Sequence, residues 1–286
     1  MYLREFFHQN SEKLKHAGIV DHKLETRILI SNYMNWTQSK YISSLNLSLK
    51  SKHIYDINKL IKRRINHEPL QYITGIVEFY KRTFLVNKNV LIPRNETEIL
   101  IEETIKFINK NKINNPKILD LCTGSGIIAI SIAKEIPDSS ITATDISQKA
   151  LDIAKINAKK HNVKINFIKS DCLESINEEY NIVISNPPYI KTNNLKFLEK
   201  EVQMEPKIAL DGGHDGVTII RKIIEHLPKI CIFNKYAIFI EIDPEIKKKC
   251  VEISQKAFPD SLVYIVKDLK KVDRILIIKN NQFSIF

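Results

Sequence analysis

From Lys117 to Ile278 the chain alternates short β-branched runs with stretches of helical period, and that rhythm allows few folds. The runs lie at 117–121, 141–145, 165–168, 181–185, 236–240, 262–266 and 274–278, and segments near 127–136, 147–161, 217–230 and 245–257 carry helical spacing. Strands that each need a helical crossover pair in parallel, with helices on both faces of the sheet. Only about seven residues separate the last two runs, too few for a crossover, so they are expected to pair antiparallel. The expected fold is α/β, a doubly wound, seven-stranded, mostly parallel sheet.

The first 67 residues read differently. Leu3, Phe6, Phe7 and Leu14, then Leu24, Ile28, Leu29 and Tyr33, and then Ile54, Ile57, Leu60, Ile61 and Ile65 recur at helical spacing. These are three helices of a small domain with no catalytic cluster. Between Gln71 and Val90 the pattern turns to β, and 72–76 with 82–86 read as a hairpin. The organisation expected is a helical domain over 1–70, a hairpin linker over 71–93 and the α/β domain over 94–286. A helix starts near Asn95, read as N-cap with Glu98 at N3, the outline of a capping box.

Composition narrows the setting. No stretch approaches the ~18 apolar residues of a spanning helix, and the residues after Met1 lack a signal-peptide core. Membrane insertion and secretion are not expected. Cys122, Cys172, Cys231 and Cys250 are dispersed with no C-x-x-C pair, against a disulfide framework or a zinc site, and a reducing cytoplasm is the expected location. The formal charge of +11 raises the prospect of a nucleic-acid partner, but 36 of the 44 cations are Lys and only 8 are Arg, the side chain that base and phosphate forks favour.

Glycine is scarce and therefore informative. Of seven glycines, two lie in Asp120-Leu121-Cys122-Thr123-Gly124-Ser125-Gly126 and three in Asp211-Gly212-Gly213-His214-Asp215-Gly216. The first group fills the first strand-to-helix loop, where a doubly wound sheet binds its ligand beside a helix N-terminus. Asp145 ends the next strand, where a carboxylate can accept hydrogen bonds from ribose hydroxyls. Ala129 stands where a dinucleotide fingerprint has its third glycine, so this spacing alone leaves a nicotinamide cofactor open.

The fourth strand decides against it, because it runs into Asn186-Pro187-Pro188-Tyr189-Ile190. Two prolines stiffen the chain and fix where the preceding carbonyls point. The Asn186 amide oxygen and the Pro187 carbonyl can together accept both hydrogens of one planar NH2 group. Such a clamp orients a weakly nucleophilic nitrogen and favours its pyramidal, partly positive transition state.

These segments together resemble the class I S-adenosylmethionine-dependent methyltransferases that modify planar nitrogens, with a Rossmann-like sheet. More narrowly, Gly75-x-x-Glu78-Phe79, Leu91-Ile92-Pro93-Arg94-x-x-Thr97-Glu98 and Glu205-Pro206-x-x-Ala209-Leu210-x-Gly212-Gly213-x-Asp215-Gly216 resemble the PrmC/HemK family, the release factor glutamine N5-methyltransferases. The resemblance spans the chain, helical domain included. It implies that Asp120, Thr123, Gly124, Ser125 and Gly126 cradle the methionine part of S-adenosylmethionine, that Asp145 holds its ribose and that Asp171 and Cys172 sit by its adenine. Asn186, Pro187, Pro188 and Tyr189 would bind and activate a glutamine amide, with Asn186 also beside the cofactor, and Arg94, Thr97 and Glu98 would close the site. Thr97 and Glu98 read equally well as helix-start residues. The implied partner is a class I release factor, methylated on the glutamine of its Gly-Gly-Gln motif, with no metal and no covalent intermediate. Two departures stand out: Cys122 and Asp243 occupy positions where the family has Gly. Cys122 is read as an inert thiol, and His214 is the one histidine placed to merit a test.

The alternative is methylation of an exocyclic amine, adenine N6 or guanine N2, on a flipped base held in the same Asn-Pro-Pro-Tyr clamp. The positive charge favours it. The helical segment lacks the interleaved aromatic and Arg residues that read nucleic acid.

Overall fold

The structure is a computed structural model and describes residues 1–231 and 235–280. It divides into two units: Met1–Ile76 with Glu199–Met204, and Val77–Leu198 with the described residues from Glu205 onward.

The first unit is helical: α1 (Leu3–His16), α2 (His22–Met34), α3 (Gln38–Ser43), α4 (Ser51–Ile65) and α5 (Leu70–Thr74). Its core includes Leu3, Phe6, Leu14, Leu29, Ile57 and Ile61, whose spacing marked the helices, and Ile30, which that spacing did not single out; Leu24, which it did, is exposed. One buried cation joins them. Arg64 follows Ile57 and Ile61 on the inner face of α4, 2% exposed, and pairs with Glu25 of α2 and with Glu201. The sequence reading missed α3 and α5. It placed a strand at 72–76, but Pro69 enters a helical turn there and Gly75, at φ +77°, ends it. The hairpin instead joins β1 (Ile76–Phe79) to β2 (Arg82–Leu85).

In the second unit, α6 (Glu98–Lys110) precedes β3 (Lys117–Leu121), α7 (Ile127–Glu135), β4 (Ser140–Asp145), α8 (Gln148–Lys160), β5 (Asn166–Lys169) and β6 (Ile182–Ser185). After a long loop come α9 (Thr218–His226), β7 (Ala237–Glu241), α10 (Lys247–Ala257), β8 (Ser261–Lys267) and β9 (Asp273–Asn280). These form a seven-stranded, mostly parallel sheet in the order β5-β4-β3-β6-β7-β9-β8, with β9 antiparallel to both neighbours. All seven expected strands are present, each shifted by at most two residues at either end.

Apolar residues cover both faces of the sheet. The central strands have no solvated side, which is why β6 reads Ile-Val-Ile without alternation. The chain winds outward from β3 through β4 to β5, then returns to β6 on the other flank of β3. That reversal opens a crevice beyond the carboxyl ends of β3 and β6, the position where such sheets bind ligands. No helix of the described residues is long and apolar enough to cross a membrane.

Candidate active site

Two loops meet at the crevice. The first leaves β3, and three of its residues take left-handed backbone: Cys122 at φ +60°, Gly124 at +56° and Gly126 at +82°. At Gly126 a Cβ would stand 3.0 Å from that of Ala154, so close packing on α8 adds to the need for glycine. Cys122 bears the steric cost that a glycine would avoid. Its thiol is pushed well above the ordinary range by burial, in keeping with an inert role.

Hydrogen bonds hold the loop from below. Asp120 Oδ2 accepts from the Thr123 hydroxyl at 2.6 Å and from the Ala129 N–H at 3.2 Å. Asp145 Oδ2 accepts from the Gly124 N–H at 2.9 Å, and its Oδ1 from the Ser147 N–H at 2.8 Å. Asn157, fully buried on α8, donates to the carbonyls of Ser125 and Leu85 and accepts from the Leu85 N–H, so the hairpin braces the loop.

The second loop leaves β6. The Ser185 hydroxyl donates to the Leu121 carbonyl at 2.9 Å, locking the two strand ends together. The glycine-rich turn backs the segment that follows. Ile190 N–H donates to the Leu210 carbonyl, Gly212 N–H to the Ile190 carbonyl and Thr192 N–H to the Gly213 carbonyl. A Cβ on Gly212 would lie 2.6 Å from Tyr189 Cα, and one on Gly216 2.7 Å from the Tyr189 carbonyl oxygen. These glycines are the close-approach surface that seats Tyr189. His214 points away from all of this, its side chain 89% exposed.

A pocket opens between the loops, walled by Gly124, Asp145, Asp171, Cys172, Asn186 and Pro188, with Val90, Leu91, Ile146, Ala209 and Ile219 as apolar faces. Among the described residues its wall holds no Lys, Arg or His. Asp171 is neutralised from outside by Lys222 at 2.7 Å, which holds its carboxyl below the ordinary value. Among the described residues Asp145 has no such partner, and burial raises it. Beneath the loop, burial pushes Asp120 up to about 7 against the opposing bonds from Thr123 and Ala129, and Asp120 Oδ1 has no hydrogen-bond partner among the described residues. An apolar-walled pocket whose unbalanced charge is negative suits a cationic ligand.

The residues named from the sequence fall into three groups. Gly124, Asp145, Asp171, Cys172, Asn186 and Pro188 line the pocket. Asp120, Thr123, Ser125 and Gly126 build the loop from beneath and, like Pro187 and Tyr189 of the second loop, are not among the lining residues. Arg94, Thr97 and Glu98 have partners within the unit. Arg94 pairs with the buried Glu205, which also accepts from the Ile92 N–H at 2.9 Å. The capping box expected at Asn95 and Glu98 does not form. Asn95–Thr97 is a turn of 3-10 helix, and Glu98 Oε1 accepts from the Tyr80 N–H at 2.7 Å. Thr97 Oγ1 accepts from Asn186 Nδ2 at 3.1 Å. Asp243, the other departure, needs no glycine, since it sits at φ −85° and its side chain accepts from the Glu245 N–H.

Sequence reasoning missed Ile146, Ile219 and Ala209, whose roles are visible only once the loops are in place. It also missed Glu241, which is 2% exposed at the end of β7 and raised to about 7 by burial.

The chain matches known proteins over most of its length. Residues 96–210 match the methyltransferase small domain and residues 5–75 the PrmC N-terminal domain. The release factor glutamine methyltransferase of Thermodesulfovibrio yellowstonii is 37% identical over 240 residues, 83% of this chain and 85% of that protein. A bifunctional methyltransferase of Rickettsia bellii is 35% identical over 304 residues, 96% of this chain and 54% of that protein, so the chain spans about half the length of such relatives. Among solved structures, the Thermus thermophilus 16S rRNA N2 G1207 methyltransferase superposes with a TM-score of 0.53 at 12% identity, covering 72% of this chain and 50% of that one, a likeness of fold alone.

Proposed function

The chain belongs to the release factor glutamine methyltransferase family, and we propose that it methylates the side-chain amide nitrogen, N5, of the glutamine in the Gly-Gly-Gln motif of class I peptide chain release factors, with S-adenosylmethionine as donor. The observation that carries this reading is the placement of Asn186, on the wall of an anionic pocket and at the head of a loop stiffened by two prolines.

The residues present fit the donor. The negative balance of Asp145 and Asp120 complements a sulfonium, Asp145 retains lone pairs for ribose hydroxyls, and Ile146 and Ile219 offer faces for a purine. Bound there, the donor supplies an electrophilic methyl. Gly124 lets the backbone approach the methionine portion, and Asp171 with Cys172 borders the adenine. The Asn186 Oδ1 and the Pro187 carbonyl accept the two amide hydrogens of the glutamine, which turns the nitrogen lone pair toward the methyl. That bond set strengthens as the nitrogen becomes positive, so it stabilises the transition state more than the bound substrate. Tyr189, held against the glycine-rich turn, packs beside the amide.

One glutamine side chain offers too little surface to select one protein among many. The helical unit, matched by the PrmC N-terminal domain, is the proposed reader of the rest of the factor. The test is mass spectrometry after incubation with labelled donor and, in parallel, an intact bacterial release factor, a short Gly-Gly-Gln peptide, and DNA or RNA. Label on the glutamine, with intact factor far preferred over peptide, is expected. Label on nucleic acid and none on the factor would overturn the assignment in favour of an exocyclic-amine enzyme.

A further inference from the structure

An asparagine amide is nearly symmetric in shape, yet only one of its two orientations makes a useful clamp. With Oδ1 toward the substrate it accepts an amide hydrogen. With NH2 toward the substrate, donor meets donor and the nitrogen is repelled. Something must fix the choice, and the Pro187-Pro188 backbone does not, since it leaves the Asn186 side chain free to turn.

The Asn186 Nδ2 donates to Thr97 Oγ1 at 3.1 Å. Alone, a hydroxyl settles nothing, because it donates as readily as it accepts. Its own hydrogen has to be committed elsewhere. Register supplies the place: Ser185 of β6 pairs with Ile240 of the parallel strand β7, which brings the next residues, Asn186 and Glu241, abreast at the strand ends. Glu241 is 2% exposed and Thr97 1%, so water does not compete for either. The Thr97 hydroxyl lies near enough to the Glu241 carboxylate to steady its charge. The Tyr189 hydroxyl approaches Glu241 Oε1 at 3.5 Å, and Oε2 has no partner among the described residues. A carboxylate has no hydrogen to give, so a hydroxyl turned toward it offers Asn186 only a lone pair.

We propose that Thr97 and Glu241 are positioning residues that hold the Asn186 amide with its Oδ1 toward the substrate nitrogen. The proposal rests on the reading of Asn186 given above and adds two residues that touch neither donor nor glutamine. Ionisation then matters. Burial lifts the Glu241 carboxyl to about 7, with the charge of Glu96 in the turn before α6 acting the same way, while the hydroxyls of Thr97 and Tyr189 and the guanidinium of Arg274 on β9 oppose it. Once protonated, Glu241 gives its hydrogen to Thr97, Thr97 turns its own toward Asn186, and the amide is driven to its unproductive face.

The expected result for Thr97→Val is a fall in kcat of about tenfold or more with unchanged donor affinity and little change in KM, and for Thr97→Ser a recovery to within about threefold of wild type. The wild-type kcat profile should fall on the acid side near pH 7, and Glu241→Gln should abolish that limb. A readout apart from turnover is the side-chain 15N signal of Asn186, assigned by its loss in Asn186→Ala. Its two hydrogens should exchange slowly in wild type and quickly in Thr97→Val. Wild-type kcat in Thr97→Val, equal loss in Thr97→Val and Thr97→Ser, or fast exchange in the wild type overturns the proposal. Slow exchange lost in Thr97→Val, in a protein that methylates no glutamine, upholds the positioning and overturns the substrate reading instead.

Discussion

The helical unit and the site of the α/β unit bury charge in opposite ways. In the helical unit the buried Arg64 is answered by Glu25 and Glu201; although burial opposes its charge, these two carboxylates hold its pKa above the ordinary value. Around the site of the α/β unit Asp120 and Glu241 are as enclosed and Asp145 is half-buried, yet among the described residues none forms a salt bridge, and burial raises all three. Hydroxyls and backbone N–H groups hold them instead. Desolvating a charge is costly wherever it occurs. A chain that supplies the counter-charge is building structure, and one that withholds it keeps a field for something that arrives later.

The strongest way to break this contrast is Arg64→Met. It leaves two carboxylates facing an apolar core, and a buried ion pair that loses one partner is destabilised by about 3 to 5 kcal/mol, toward the low end here because Glu201 is partly exposed. Urea unfolding should show that loss. Little change in the midpoint would mean that the trio contributes nothing. Next comes Asn186→Ala, which should lower turnover by about 100-fold or more while leaving donor affinity nearly unchanged in titration calorimetry. An equal loss of donor binding would reassign the residue.

Asp145→Ala should do the reverse, weakening the donor by about 1.5 to 3 kcal/mol through lost charge-assisted bonds. Unchanged affinity would refute its role. The smallest effect expected is that of Cys122→Gly, which relieves a left-handed backbone and should raise stability by about 1 kcal/mol at most, the greater freedom of glycine in the unfolded chain taking back part of the gain. A destabilised variant would show that the thiol packs better than its backbone suffers.

What the sequence made legible follows the same division. Strands β3 to β9 were readable because their β-branched runs are local, and Asn186-Pro187-Pro188-Tyr189 because two consecutive prolines after a strand have few other uses. Gly124 and Gly126 were readable from scarcity alone. The roles of Thr97, Glu98, Glu205 and Glu241 were not, since their partners lie far away in sequence: Asn186 for Thr97, Ile92 for Glu205, Tyr189 for Glu241. Glu98 had a plausible local role as a capping residue and lost it to the Tyr80 N–H. A helix-start motif and a tertiary clasp look alike until the hairpin is in place. Leu70–Thr74 was misread for a related reason, because Tyr-Ile-Thr suits a strand in isolation and only Pro69 and Gly75 bend it into a turn of helix.

Raised carboxyls also tie the site to pH. Between about pH 4 and 7 folded Asp120 keeps a proton that the unfolded chain has released, so stability falls as pH rises through that window and is level above it. Asp120→Asn should flatten the slope of melting temperature over this range, whereas an unchanged slope would place the titration elsewhere.

The most direct test of the unpaired field is the proton count on ligand binding near pH 7, taken from calorimetry in buffers of different ionisation enthalpy. S-Adenosylmethionine and S-adenosylhomocysteine differ by one methyl and the positive charge on sulfur. A cation entering the pocket should pull the raised carboxyls downward and drive off protons, so the sulfonium should release more than the thioether, and its affinity should rise more steeply with pH. Equal proton release and parallel pH dependence for the two ligands would contradict the account.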